Sequence, residues 1–159
     1  MLAFPLPWRA PLFQYSQAEG LDPYMVAALI RQESEFDPAV ISAANAYGLT
    51  QVLPSTGREL SRRLRLRNFK PKRLLEPDFN LHLGTVYLKS LLDQFGGAWE
   101  PTLASYNAGK SRVVAWRNRM EFREPAEFVE AIPFTETRNY VQVVLRNGDL
   151  YRRLYQGAQ

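Results

Sequence analysis

Segments of helical period, set apart by Pro and Gly, constrain the fold of this chain more than any other feature. At Asp22-Pro23 an N-cap residue precedes a proline at the first helical position. Val26, Leu29, Ile30 and Glu33 then recur at i, i+3, i+4 and i+7. Pro54-Ser55 introduces a basic helical segment running to about Leu66, and a further helix is expected from about Asn80 to Phe95. That helix carries Leu81, Gly84, Leu88, Leu91 and Phe95 on one side and is stopped by Gly96-Gly97. Three more are predicted: Trp99 to Asn107, Ser111 to about Arg119, and a last one after Pro133 toward Tyr155. In the last, Tyr140, Val144, Asn147, Tyr151 and Leu154 share a stripe, with Arg138, Gln142, Arg146, Asp149 and Arg153 opposite. Asn147-Gly148 marks a place for a kink or a split. Sustained period-two alternation is missing, although Tyr47 to Leu53 is apolar enough for a short extended piece. The fold class expected is therefore mainly α, with little or no β.

At 159 residues with 46% hydrophobic content, a single domain over residues 1–159 is the expectation. With no cysteine there is no disulfide framework, thiolate nucleophile or thiolate zinc site. A formal charge of +4 favours an anionic partner, and nucleic acid, anionic lipid and acidic cell-wall polymer all qualify. Met1 to Pro11 is interrupted by Pro5, Pro7 and Pro11 and does not read as a secretory signal. No apolar run approaches the roughly 18 residues of a membrane span, so the chain is not expected to cross one.

Glu33 is the leading candidate for chemistry. Its spacing places the carboxyl on the stripe of Val26, Leu29 and Ile30, near the negative end of the helix dipole. Apolar surroundings and that dipole both disfavour ionisation, so its pKa is expected to move from about 4.3 toward 6 or 7, where it serves as a general acid. Helical phase drifts at fraying ends, and a solvent-facing last-turn glutamate fits the spacing as well.

The neighbouring residues carry more. Arg31-Gln32-Glu33-Ser34-Glu35-Phe36-Asp37-Pro38 is followed by Gly48-Leu49-Thr50-Gln51-Val52-Leu53-Pro54. Next come Asn80-x-x-x-Gly84-x-x-Tyr87-Leu88, Ala104-Ser105-Tyr106-Asn107-Ala108-Gly109, and Glu130-Ala131-Ile132-Pro133-Phe134-Thr135-Glu136-Thr137-Arg138-x-Tyr140. These ordered blocks, over residues 20–155, resemble the signature of the soluble-type lytic transglycosylase (SLT) catalytic domain. Two departures stand out: the family's usual methionines are Thr50 and Leu53, and the glycine of its Gly-Ala-x-Gly element is Asn45. Both border the sugar groove that the resemblance implies.

That resemblance implies a lysozyme-like fold of the goose-type lysozyme and lytic transglycosylase kind, with residues 42–51 forming one wall of a groove. It implies cleavage of the β-1,4 bond between N-acetylmuramic acid and N-acetylglucosamine, closing a 1,6-anhydro ring. Glu33 would act as acid and then as base, with the substrate acetamido group shielding the developing cation. Ser42, Gln51, Tyr106, Asn107, Glu130 and Tyr151 are the substrate-binding residues it points to, Ser42 near the acetamido group and Tyr106 and Asn107 as groups that orient Glu33 or the acetamido carbonyl. No metal and no cofactor is implied. The expected partner is the peptidoglycan glycan strand, with room for other cell-wall enzymes or a larger parent chain, and the expected location is the periplasm or cell envelope.

Other features point elsewhere or nowhere. His82, the only histidine, reads as an ordinary helix residue. Arg58, Arg62, Arg63, Arg65, Arg67, Lys70, Lys72 and Arg73 face a single acid, Glu59, within their segment. This basic run matches no nucleic-acid module and reads as a solvated face or an attraction to anionic wall polymers. Three alternatives stay open: a hydrolytic muramidase or chitinase using Asp37, Glu35 or Glu130 as second carboxylate, a catalytically silent glycan-binding module, and a basic helical protein that binds nucleic acid through residues 58–73.

Overall fold

The computed structural model describes residues 3–119 and 121–156; Met1 and Leu2 of the apolar opening lie outside them. The elements, in chain order, are α1 (Arg9–Ala18), α2 (Pro23–Ser34), α3 (Pro54–Arg63), a 3-10 turn (Pro71–Leu75), α4 (Pro77–Gln94), α5 (Trp99–Ala108), α6 (Lys110–Asn118), α7 (Pro125–Ala131) and α8 (Thr135–Tyr155). Among the described residues, β structure is confined to two isolated bridges, Ile41 with Tyr47 and Tyr47 with Val52, in the extended piece expected near Tyr47.

Proline does much of the local specification. Pro23, Pro54, Pro71, Pro77 and Pro125 each open an element, where the missing N–H costs no helical hydrogen bond and the fixed φ suits the first turn. At α2 the Asp22 carboxylate also accepts the Tyr24 N–H at 2.9 Å. The same Asp22 pairs with Arg152 of α8, which fastens the start of α2 to the last helix.

α2 is the hub. Every residue from Tyr24 to Ile30 is buried, because α1 and the long α8 pack around it and α4 and α5 complete the main core with Leu81, Leu88, Leu92, Leu103 and Ala104. α8 runs as one helix through Asn147-Gly148, without a split. Gly148 is needed for proximity: a Cβ there would lie 2.4 Å from the Met25 sulfur, so the glycine lets α8 close onto α2. A smaller core of Val52, Leu60, Leu74, Phe79 and Leu83 lies under α3, the 3-10 turn and the start of α4.

Several sequence expectations need correction. α3 ends at Arg63, with Leu64 as C-cap, and α4 begins at Pro77, three residues before Asn80. α1, α7 and the 3-10 turn carry no clear apolar stripe in the sequence and were not anticipated. Leu154 is 52% exposed, so the buried stripe of α8 ends at Tyr151. No helix among the described residues is long and apolar enough to cross a membrane.

Candidate active site

α2 delivers Glu33 in its last turn, and the chain beyond is held sharply turned. Glu35 and Phe36 adopt positive φ values of 52° and 62°, a conformation that costs a non-glycine residue about 1 kcal/mol or more. Burial of the Phe36 ring in the main core offsets that strain. The Ser34 hydroxyl sits 2.8 Å from the Leu49 carbonyl and 3.2 Å from that of Ile30, one proton shared between two acceptors. It thereby ties the end of α2 to the 40–53 loop. Ser34 is buried, so its place beside Glu33 in the motif is structural.

The Glu33 carboxyl lies partly buried in a cleft of about 320 Å³, lined by Gln32, Glu33, Asn107, Glu136, Asn139, Tyr140 and Val143. The Tyr140 hydroxyl donates to Glu33 Oε2 at 3.0 Å. Burial pushes the carboxyl up from 4.5 to about 7, and the Tyr140 hydrogen bond holds that rise back by favouring the charged form. Burial, and then the Glu33 charge, push the hydroxyls of Tyr106 and Tyr140 well above the usual tyrosine range. Both therefore stay protonated donors at neutral pH. Asn107 lines the same cleft, its Oδ1 accepting the Thr137 hydroxyl at 2.7 Å.

The loop beside Glu33 is clamped from α4. Asn80 is fully buried and uses its whole side-chain amide. Its Oδ1 accepts the Thr50 N–H at 2.9 Å and the Thr50 hydroxyl at 2.6 Å, and its Nδ2 donates to the carbonyls of Tyr47 and Leu74, both at 2.8 Å. One turn on, Gly84 leaves room for Thr50, since a Cβ there would sit 2.2 Å from Thr50 Oγ1. The Asn80-x-x-x-Gly84 block is thus a bracket for the loop. Thr50, at a methionine position of the family pattern, is a buried member of that bracket and does not line the Glu33 cleft. Asn45 takes the place of a glycine at φ 66°, a left-handed conformation that asparagine tolerates. Leu53 is exposed.

The remaining residues expected at the site divide. Tyr106 donates to the Thr50 carbonyl at 2.6 Å, and Glu33 is close enough for its charge to oppose Tyr106 ionisation. Gln51 donates through Nε2 to the carbonyls of Val40 at 3.1 Å and Gly48 at 3.0 Å, a contact that shapes the loop. The Ser42 hydroxyl accepts the Ala46 N–H at 3.1 Å in the same loop. Neither Ser42 nor Gln51 lines the cleft that holds Glu33.

Glu130 is exposed on α7 and lines a different depression with Glu100, Val129, Gln142 and Leu145. Tyr151 is fully buried, its hydroxyl donates to the Pro5 carbonyl at 2.7 Å, and it lies three helical turns, about 16 Å, from Tyr140 along α8. The carboxylate that does share the cleft with Glu33 is Glu136, present in the motif but given no role there. Glu136, Asn139, Tyr140 and Val143 fall at i, i+3, i+4 and i+7, a helical stripe readable in the sequence. Its mixed polarity hides it from a search for apolar period. Of the other carboxylates considered as a hydrolytic partner, Glu35 is exposed and Asp37 accepts the Ala39 N–H at 2.9 Å in its own turn.

Comparisons with known proteins agree with this geometry. The family model described as "Transglycosylase SLT domain" matches residues 10–129, and that of the "Soluble lytic transglycosylase helical domain" matches residues 131–159. The soluble lytic murein transglycosylase of Salmonella typhimurium is 36% identical over 158 residues, covering 98% of this chain and 24% of its own length. That of Escherichia coli K12 is 36% identical over 97% of this chain and 24% of its length. The chain thus spans about a quarter of the length of the curated relatives it matches.

Among solved structures, an inactive mutant of the lytic transglycosylase Slt from Pseudomonas aeruginosa superposes with a TM-score of 0.92 at 35% identity, over 96% of this chain and 25% of its own. The 70 kDa soluble lytic transglycosylase of Escherichia coli gives 0.89 at 36%, over 97% and 25%. The helical arrangement is lysozyme-like, as these neighbours have it. With a family match over 120 residues that includes Glu33 and the loop bracket, the chain belongs to the transglycosylase SLT domain family.

Proposed function

We propose that this domain is a peptidoglycan lytic transglycosylase that cleaves between N-acetylmuramic acid and N-acetylglucosamine and leaves a 1,6-anhydromuramyl end. The observation that carries the reading is the single raised carboxyl: Glu33, lifted to about 7, in an open cleft with a protonated tyrosine on its oxygen. At neutral pH a large share of Glu33 is protonated and can give its proton to the leaving glycosidic oxygen. The carboxylate so formed takes the proton of the C6 hydroxyl as that oxygen closes on C1, so one residue serves both half-steps and is returned to its starting state. The Tyr140 hydroxyl stabilises the carboxylate between them. Asn107, which lines the same cleft from α5, meets the substrate acetamido group. Gln51 and Ser42 act from the adjoining loop by setting its shape, and Tyr106 acts from α5 by holding the Thr50 carbonyl. The polymer's location puts the domain's work in the cell envelope.

Mass spectrometry of the products released from purified peptidoglycan tests the reading. Anhydro ends support it; reducing muramyl ends would replace it by hydrolysis. Because Glu136 shares the cleft, it is the carboxylate a hydrolytic mechanism would use to position water. Glu136→Gln is expected to leave 1,6-anhydro ends as the product and to change kcat less than about tenfold. Conversion to an inactive protein would favour hydrolysis.

The proton inventory fixes the pH dependence. The acid form of Glu33 is required first, so kcat/KM should fall as pH rises through about 7. Tyr140→Phe removes the bond that favours the charged form. The alkaline limb should then move to higher pH while kcat drops, because the carboxylate intermediate loses its donor. A limb that moved to lower pH would show that the tyrosine acts on Glu33 in some other way.

A further inference from the structure

Eight of the twenty Lys and Arg residues, but only one of the sixteen acids, fall between Arg58 and Arg73. That segment carries +7 and the rest of the chain −3. It folds as a cap of α3, its following loop and the 3-10 turn over the smaller core. No residue of it lines the Glu33 cleft. Two of its cations are structural. The Arg58 guanidinium lies 5.2 Å from the Phe69 ring centre, and that of Arg73 lies 4.0 Å from the Phe79 ring while pairing with Glu76 at 3.5 Å. The other six, Arg62, Arg63, Arg65, Arg67, Lys70 and Lys72, are exposed. Only Arg62 has a carboxylate partner among the described residues, Glu59, which is also exposed.

From this placement we infer that the cap is a second, non-catalytic attachment surface for the carboxylate-bearing peptide stems of the wall polymer whose glycan strand enters the Glu33 cleft. The inference rests on the function proposed above. The surface reads charge and little else. Arg58 and Arg73 cover the Phe69 and Phe79 rings, so nucleic-acid bases find no stacking platform. The apolar side of α3 is spent on Leu60 and the smaller core, which leaves exposed Leu53 as the one large apolar side chain beside the cap, a thin anchor for a bilayer. Four of the six exposed cations are arginines, whose planar fork pairs with carboxylates through two parallel hydrogen bonds. Peptide stems present such carboxylates at intervals along the strand. Contact at the cap raises the effective concentration of the same polymer at the cleft.

Sedimentation with insoluble peptidoglycan tests this in a Glu33→Gln background, where the polymer is not consumed. Replacing Arg63, Arg67, Lys70 and Lys72 by Gln should weaken retention about tenfold or more at low salt. Replacing Arg119, Arg123, Arg146 and Arg153 by Gln, the same change in net charge elsewhere on the surface, should weaken it less than about threefold. Retention of the parent on peptidoglycan whose carboxyls have been amidated should respond little to salt. With Glu33 intact, both fourfold variants should release anhydro products from short stem-free glycan at the parent rate, which shows that they fold. Equal losses in the two sets would overturn the inference. So would retention that follows the cap on carboxyl-amidated peptidoglycan, or cap-dependent capture by phosphatidylglycerol vesicles or DNA with peptidoglycan retention unchanged. Failure of the parent to form anhydro ends would defeat the proposed reaction and would be read separately from retention.

Discussion

Glu33→Gln should lower kcat on peptidoglycan by about a thousandfold or more, leave glycan affinity within about threefold, and at the same time make the protein more stable at alkaline pH. The loss of rate follows from chemistry: the amide keeps the shape and the Tyr140 contact but has no proton to give and no charge to take one back. The gain in stability follows from linkage. The folded carboxyl holds its proton up to about 7, whereas its ordinary value is 4.5. Between those two values the folded state binds a proton that the unfolded state has released. Stability therefore falls as pH rises through this window, and above about 7 the deficit is complete, at about 3 kcal/mol. Glutamine never ionises and does not carry that deficit. Calorimetry at pH 8 should show a Tm higher by about 6–10 °C, shrinking toward nothing near pH 4.5. A variant less stable at both pH values would mean that the carboxylate is a structural strut, and the catalytic assignment would fall with it.

This couples fold to function through one placement. α2 is buried along nearly all its length and pinned at its start by Asp22 and Arg152 and at its end by Ser34. A helix held so firmly can carry a carboxyl whose ionisation its surroundings resist. The raised pKa has one dominant source, desolvation, with the tyrosine working against it. Apolar neighbours of Glu33 were legible from the i, i+3, i+4, i+7 spacing that ends at this residue, because within one helix the sequence distance sets the face.

Depth along a helix and position across helices were less legible. Tyr151 shares the α8 stripe with Tyr140, so periodicity gives both the same face. Only the packing of the 4–7 segment against the far end of α8 shows that Tyr151 belongs to the core beneath Pro5. Glu130 and Glu136 are six residues apart, yet α7 ends between them and α8 begins after Phe134. The two carboxylates then face different depressions. α7 has only seven residues, too few for a period to establish itself, and α1 buries only Leu12 and Ser16. The loop motifs were recognisable as motifs, but their physical meaning was not. Nothing local in Asn80 or Thr50 reveals that the two meet across a sequence separation of thirty residues.

That meeting should be the most sensitive structural point near the site. Asn80→Ala strands the Thr50 N–H and the carbonyls of Tyr47 and Leu74 in a buried place and opens a void the size of an amide, so a loss of about 4 kcal/mol in urea unfolding is expected. Thr50→Val removes one donor and keeps the volume, for a loss of about 1 kcal/mol. Because the two share a hydrogen bond, the double variant should fall short of the sum by about 1 kcal/mol. Function should suffer through geometry alone. The Thr50 carbonyl that Tyr106 holds and the turn that Gln51 shapes both belong to the freed loop, so KM should rise several-fold, while the alkaline limb of kcat/KM stays near 7 because the cleft around Glu33 is lined from α2, α5 and α8. A shift of that limb in Asn80→Ala would mean that the loop shields the carboxyl from water, and the bracket would then set the acidity of Glu33 as well as the shape of the loop.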